Sequence, residues 1–551
     1  MKQTRKLMIA LLAGSLLSTI STTSIFASEP TAAATAVKTA ADALAEQPLP
    51  QVVQESLDKL YSLVPELKDF TIMNKHSENG LWVIFLSKNP NPDKTAEGEI
   101  ASAIVMINGN TGALFNFNIH DPLWASDKNP APFAAKEKAE VFLTSVIGED
   151  QVKNYKMSDF VESGGMTSVD KNGNRASYSE AVVSFLRMVK GIALTNSGYR
   201  IGVNEAGHVV SFYNLNREQI DESKFPDAAK LITQEEAEKA YVASVNLKLV
   251  YDEAQPTAYT WNGPVGIHPV LKYMPLGLQP IDARTGQPVQ AGMDFNERTK
   301  TVNVSPLGKV LVAKSAKEAA ELLMNEFGVD VTGYKLEEEK HGMKEREATM
   351  YQWRKDDRGN AGYSVQTTSE GRVMQIGSIF GEEAESIKET VTKDEAQNIA
   401  LEAAEKYLPT DVKQVQMSCF EQGAIPGWVD KNKLPTMPHF LFVTFTELNN
   451  GIPVSSRATS VEVDLTTGKV RNIFLRGGDV KASLPDSRNI VTKEQAAAAY
   501  LNKYPLTLQY MWPEFMGQKA PAPVLVYAPA TRYNGEYIDA LTGQVIEVGH
   551  E

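Results

Sequence analysis

The sequence predicts an α+β protein: six helix-plus-antiparallel-hairpin units, arranged as two homologous triplets. Three observations predict it. The chain carries an internal duplication with an offset near 260 residues, helix-start signatures recur at spacings of 77 to 99 residues, and a glycine-closed hairpin turn follows each helix. One helix on a few antiparallel strands is an α+β unit, and no stretch alternates strand, helix and strand as a parallel sheet requires.

The duplication is read from ordered blocks. ITQEEAEKAY (Ile232–Tyr241) matches VTKEQAAAAY (Val491–Tyr500), LKLVY (Leu247–Tyr251) matches LTLQY (Leu506–Tyr510), PVLKY (Pro269–Tyr273) matches PVLVY (Pro523–Tyr527), and IDARTGQPV (Ile281–Val289) matches IDALTGQVI (Ile538–Ile546). The offsets are 259, 259, 254 and 257. A further pair, starting at Gly191 and Gly451, has an offset near 260.

The helices carry their own start signals. In a capping box, Ser or Thr is followed three residues later by Glu or Gln, and each side chain satisfies an orphan backbone N–H. Thr233/Glu236, Ser315/Glu318, Thr392/Glu395 and Thr492/Gln495 fit. Two further helices, near Leu49 and Phe133, start without the box.

The hairpin turns are Asn108–Gly112, Asn204–Gly207, Asp282–Gly286, Thr367–Gly371, Asp464–Gly468 and Asp539–Gly543. A polar side chain at the first position accepts from N–H groups two residues on, and glycine takes the left-handed conformation that closes the loop. Asn108, Gly112, Gly207, Asp282, Gly286, Gly371, Asp464, Gly468, Asp539 and Gly543 are therefore assigned as structural turn residues. The flanks alternate as strands do: Val461, Val463 and Leu465 share one face, as do Ile104 and Met106.

Composition bounds the function. The chain has 551 residues, 55 Lys and Arg against 68 Asp and Glu, and a formal charge of −13. Apolar residues make up 42%, enough for packed cores. The acidic balance argues against a nucleic-acid partner, because phosphate binding needs clustered Lys and Arg. A single cysteine, Cys419, leaves no intramolecular disulfide, cysteine-rich zinc site or iron–sulfur cluster.

Residues 1–27 read as a signal peptide, with Lys2, Arg5 and Lys6 ahead of an apolar run from Leu7 to about Leu17 and cleavage after Ala27. That run is shorter than the ~20 residues a membrane span needs. Removing it takes three positive charges and leaves −16. Residues 28–48 are an Ala/Thr-rich flexible leader. The expected organisation is a first three-unit half at 49–295 and a second at 305–551, folding separately and joined near Asp294–Val304. The mature chain is expected to be secreted or associated with the cell envelope, with no membrane span.

The capped helix, apolar strand and IDAxTGxV hairpin resemble the PepSY family of exported bacterial domains. The duplicated triplets resemble the YcdB/YcdC-type repeated-domain proteins. The resemblance covers almost all of the mature chain and is strongest at 232–290 and 491–548. For PepSY, it implies a link to propeptides of secreted metallopeptidases, in inhibition or assisted folding. For the YcdB/YcdC type, it implies a fold and a location and no settled activity. Two departures stand out: no peptidase domain follows the repeats, and six units exceed what a propeptide needs.

Catalytic motifs were sought against this background. No two of His76, His120, His208, His268, His341, His439 and His550 lie within five residues, so a zinc HExxH motif is absent. The serine nucleophile elbow and both glycine-rich phosphate loops are absent as well. Gly164–Gly165 and Gly477–Gly478 are loop glycines by composition, and the acidic runs Glu337–Glu339 and Glu382–Glu385 lack EF-hand spacing. Asp282, Asp464 and Asp539 are turn caps by position. No catalytic, metal or cofactor residue is assigned. Trp82 and Trp353 are expected in the core. Trp124, Trp261, Trp428 and Trp512 sit in Pro/Gly-containing connectors and have two readings, plugs between units or contacts to a ligand.

The functional expectation is an exported, non-catalytic protein that binds an exported partner, a secreted peptidase in the leading reading, as inhibitor or folding aid. A structural or surface-assembly module and an enzyme of unrecognised type are the alternatives. The expected docking elements are hairpin edges of the third units, around 232–290 and 491–548.

Overall fold

Side chains that close the first helical turn set where the elements begin. Thr233, Thr392 and Thr492 each accept a hydrogen bond from the N–H three residues on, and Glu236, Glu395 and Gln495 accept one from the threonine N–H in return. Ser315 makes only the first of these bonds, because the Glu318 carboxylate accepts from the Lys314 N–H instead, at 2.7 Å. The computed structural model describes residues 48–89, 101–169, 175–216, 220–260, 263–276, 279–290, 295–341, 348–355, 362–380, 388–435, 439–475, 482–529 and 536–550. The signal peptide, nearly all of the leader, Trp261, Gly477–Gly478 and Glu382–Glu385 lie outside them. The protein is α+β, with helices α1 (Gln51–Leu63), α2 (Pro132–Ile147), α3 (Gln234–Ser244), α4 (Ala316–Phe327), α5 (Lys393–Glu405) and α6 (Lys493–Lys503). No helix among the described residues is long and apolar enough to cross a membrane.

Compactness divides the chain elsewhere than the duplication does. One unit holds residues 1–187 and 196–219, and the other holds 188–195 and 220–551. The first contains strands β1 (Thr71–Glu78), β2 (Leu81–Ser87), β3 (Ser102–Asn108), β4 (Leu114–His120), β5 (Tyr155–Val169), most of β6 (Arg175–Val189), the end of β7 (Ile192–Asn204) and β8 (Val209–Asn214). They pair in the order β1-β2-β3-β4-β8-β7, with β6 beside β7 and β5 beside β6. The period-two pattern places Ala103, Val105 and Ile107 inside, and leaves Ile104 and Met106 on the other face. Helices α1 and α2 cover the inner face, where Val53, Leu57, Leu60, Ala139, Phe142 and Leu143 pack against Ile84, Val105, Phe117 and Phe212. Trp82 is in this core.

The second unit contains β9 (Asn246–Gln255), β10 (His268–Leu276), β11 (Ile281–Asp282), β12 (Phe295–Asn303), β13 (Lys335–His341), β14 (Ala348–Arg354), β15 (Gly362–Thr368), β16 (Val373–Phe380), β17 (Gln414–Gln422), β18 (Phe440–Asn449), β19 (Ile452–Asp464), β20 (Val470–Leu475), β21 (Leu506–Met511), β22 (Val524–Pro529), β23 (Tyr537–Asp539) and β24 (Val545–Ile546). One sheet runs β13-β14-β15-β16-β20-β19-β9-β10-β23-β24, with β18, β17 and β12 branching from β19. Helix α4 packs over Tyr351, Trp353, Val365 and Ile376, and helix α5 over Val415, Cys419, Val443, Val461 and Val463. The order of elements repeats that of the first unit: four strands, a helix, four strands.

The two most similar segments of the duplication exchange strands. Strand β11 pairs with β22, through Ile281 opposite Tyr527, whereas its counterpart β23 pairs with β10, through Ile538 opposite Tyr273. Tyrosine hydroxyls repeat the reciprocity. Tyr251 donates to the Pro485 carbonyl (3.1 Å) and Tyr510 to Pro226 (2.6 Å), while Tyr273 donates to Val491 (2.8 Å) and Tyr527 to Ile232 (3.1 Å). Ala237 and Tyr241 of α3 share one core with Ala496, Ala497 and Tyr500 of α6. The small alanines let these two helices approach closely. This core draws on both sequence halves, which is why compactness does not break at 295–305. The third-unit edges expected to be free are covered: β10 by β23, β22 by β11, β9 by β19, and β21 by β7 at Ala193 and Leu194.

Candidate docking groove

The turn residues stand at the hairpin tips. Asp282, Asp464 and Asp539 each use Oδ1 to accept from the N–H groups two and three residues on and from a threonine hydroxyl. Asn108 accepts from Asn110 and Thr111 N–H in the same way. Gly112, Gly207, Gly286, Gly371, Gly468 and Gly543 all have φ between 69° and 86°. Three of these six turns also abut a helix start: the N–H groups of Ile232, Val391 and Val491 donate to the carbonyls of Ala283, Leu465 and Ala540. The turn therefore does two jobs, reversing the chain and accepting bonds from the residue that precedes the helix cap.

The connector tryptophans differ in what they meet. Trp124 stacks on His208, with ring centroids 4.5 Å apart, and His208 Nδ1 lies 2.6 Å from a Glu66 carboxylate oxygen. Trp512 is a plug. Its Nε1 donates to the Ala520 carbonyl at 2.7 Å, and its ring lies edge-on to Phe225. Trp428 is half-buried and lines a groove instead.

That groove has a volume of about 570 Å³. Three stretches of the second unit build it. The β11 turn supplies Asp282, Thr285, Gln287, Pro288, Val289 and Gln290; the connector between β17 and β18 supplies Pro426 and Trp428; the connector between β21 and β22 supplies Pro513, Ala520, Pro521 and Ala522. The two connectors are tied by a reciprocal pair of bonds, Asp430 N–H to Gln518 Oε1 (2.9 Å) and Gln518 Nε2 to the Asp430 carbonyl (3.1 Å). The walls are mostly apolar, and four of the lining residues, Pro288, Pro426, Pro513 and Pro521, bring no main-chain N–H. One side-chain donor stands out: Gln290 Nε2 is buried with no hydrogen-bond partner among the described residues.

Two buried acids occupy matching places on the helix-free sheet faces. The Glu180 carboxylate sits over Gly202, where a Cβ would come within 1.8 Å of it, and accepts from the Ser211 hydroxyl at 2.7 Å. In the second half, Glu462 stands at the position matching Gly202, accepting from Asn472 Nδ2 at 3.1 Å with Arg471 3.3 Å away. Burial pushes both carboxyls above the usual range, against the pull of these neighbours. Arg457 forks onto Glu253, which also accepts from Ser456 and from Ala482 N–H. These acids are held by sheet neighbours rather than grouped as a catalytic pair, and among the described residues no group of three His, Cys, Asp or Glu side chains is placed to hold a metal.

Sequence reasoning singled out Trp428 as an open choice and missed Gln290. The duplication carries the signal that finds it: Gln290 aligns with Glu547, whose carboxylate accepts from the Tyr504 hydroxyl at 2.8 Å and pairs with Lys503 at 2.8 Å. The positions matching Lys503 and Tyr504 in the first half are Ser244 and Val245, which offer Gln290 no equivalent partner.

Residues 327–473, from the end of α4 into β20, match the family described as the YcdB, YcdC repeated domain. The matched segment comprises a four-strand, helix, four-strand run like the one in the first unit. The chain is similar to the C-terminal domain of YpeB from Bacillus megaterium, at 14% identity over 43% of this chain and 94% of that one, with a TM-score of 0.26. It is also similar to an uncharacterized protein from Eubacterium rectale ATCC 33656, at 8% identity over 58% of this chain and 99% of that one, again with a TM-score of 0.26. Scores this low carry no argument about fold or activity. No curated protein matches the chain.

Proposed function

We propose that the chain is an exported, non-catalytic protein of PepSY-like units that binds a partner protein in the cell envelope. It acts on a secreted peptidase as an inhibitor or folding aid. Its organisation is six helix-plus-hairpin units in two triplets, with the third units of the two triplets interlocked. Support comes from the recurring helix starts, the recurring turns and the repeated domain at 327–473. The observation that carries the binding reading is the Trp428 groove, where three connecting segments converge on an open, mostly apolar space.

The test is a set of progress curves for exported peptidases with and without the purified mature chain. Slower hydrolysis, or a higher yield of active enzyme on refolding, is the expected result. Turnover of a peptide, glycan or ester by the chain itself would overturn the reading. A second reading, as a surface-assembly module, is favoured by edge strand β1. It pairs only with β2 among the described residues and exposes Ile72 and Met73.

A further inference from the structure

The sheets of the two halves match strand for strand, and the first lacks one strand that the second has. In the first half β5 pairs with β6, through Tyr155 opposite Arg187 and Met157 opposite Phe185. In the second, β17 pairs with β18 through Val415 opposite Glu447 and Met417 opposite Phe445, the same register at an offset of 260. The outer edge of β17 is covered by β12, with Val302 opposite Val415 and Lys300 opposite Met417. The outer edge of β5 has no such cover: among the described residues β5 pairs only with β6.

The side chains register the same difference. Val412, Val415 and Met417 are buried, with Val302 and Val304 in or against their core. Their counterparts Val152, Tyr155 and Met157 are only partly buried. An open row of N–H and C=O groups beside half-covered apolar side chains is a place for one more strand.

Position along the chain selects which strand. β12 precedes helix α4, and the segment that stands in the same place before helix α1 is the leader. Val302 lies 14 residues before Ala316, where α4 starts, and Val37 lies 14 residues before Gln51, where α1 starts. Val37 is the only valine or isoleucine in residues 28–48. A strand from another molecule would pay for association, whereas the leader is tethered beside the edge by a linker as long as the one the second half uses.

We infer that residues 35–39 of the leader add to the outer edge of β5 as an antiparallel strand, with Val37 opposite Tyr155 and Thr35 opposite Met157. The Thr39 N–H then donates to the Lys153 carbonyl, as the Val304 N–H does to Lys413 at 3.1 Å. The ladder stops at Met157, because β5 shifts register between Met157 and Val161 and the Asp159 carbonyl already accepts from Lys136 Nζ at 2.8 Å. Alanine has little strand preference, so the hold comes from the main-chain ladder and from Val37. The added strand closes the β5 edge to strand addition by another molecule. The inference concerns the first unit and stands apart from the partner-binding reading, whose groove lies in the second.

The test is disulfide trapping in the full mature chain. Ala36→Cys with Lys156→Cys places two thiols at directly opposed positions, within the span a disulfide bridges. Ala36→Cys with Phe160→Cys is the control beyond the register shift. Cys419 is buried and stays in place. Under mild oxidant the first pair should close within one chain and the control should stay reduced, as read by mass spectrometry and non-reducing electrophoresis. Equal closure of both pairs, closure of neither, or a disulfide between two chains would overturn the inference, the last because it gives the edge to a second copy. Hydrogen exchange needs no cysteine: deleting residues 28–40 should speed exchange at 155–157 by about tenfold or more and leave α1 protected. Unchanged exchange at 155–157 would equally overturn it.

Discussion

Replacing a turn glycine by alanine separates two costs that the structure places at different positions. Gly517, Gly543 and Gly468 have nearly the same backbone, with φ of 76°, 74° and 69°. What a new Cβ would meet differs. Nothing lies within 4 Å at Gly517, Val491 Cγ1 lies at 3.2 Å from the Gly543 position, and Val391 Cγ2 lies at 2.9 Å from the Gly468 position. Gly517→Ala therefore carries only the left-handed strain, about 1 kcal/mol. Gly543→Ala adds a contact that a small shift relieves, for about 1–2 kcal/mol. Gly468→Ala adds a closer overlap: Val391 and Val491 are both tied by their N–H groups to the turns, to Leu465 at 3.1 Å and to Ala540 at 2.9 Å, but only the Val391 contact falls below 3.0 Å, where something must shift. Its expected cost is about 2–4 kcal/mol. Urea titration followed by circular dichroism reads the series as three ordered midpoints. Equal midpoints for Gly517→Ala and Gly468→Ala would refute the claim that the turn is packed against the helix start.

Other outcomes follow from the exchange and the buried acids. A 305–551 fragment should unfold without cooperativity, because Tyr251, Tyr273, Ile281 and their neighbours leave the shared core; a sharp calorimetric transition equal to that of the full chain would contradict the exchange. Arg457→Ala should destabilise by about 3 kcal/mol, since it strands Glu253 in a site where that side chain is 10% exposed; denaturant titration gives the value. For Glu462, burial raises the folded-state pKa above the unfolded one. The folded chain then holds the proton more tightly, so this group's contribution to stability is fullest at acid pH and is lost as pH rises through the folded pKa. Glu462→Gln should flatten that slope and raise stability at neutral pH, as read from thermal midpoints across a pH series.

How far the sequence could be read depended on the range of each interaction. Capping boxes and Asp turns close within three residues, so Thr233, Thr392, Thr492, Asp282, Asp464 and Asp539 announce themselves locally. The strand exchange does not, because IDARTG and IDALTG present the same edge. Whether Ile281 pairs within its own half or with Tyr527 is decided by which strand tertiary packing brings alongside. The connector tryptophans show the same limit. Trp512 and Trp428 sit in similar Pro-containing segments, yet Phe225 and the Ala520 carbonyl draw the first into the core, while the second is left in the groove wall. Gln290 was legible only by setting the two halves side by side and asking what became of the partners of Glu547.

The account's central claim is that this protein works by binding a partner in the Trp428 groove. Hydrogen–deuterium exchange on the full mature chain, with and without exported proteins of its host, tests this most directly. The account predicts slowed exchange confined to residues 282–290, 426–430 and 513–524, and lost in Trp428→Ala. Protection elsewhere, or unchanged protection in that variant, would contradict it.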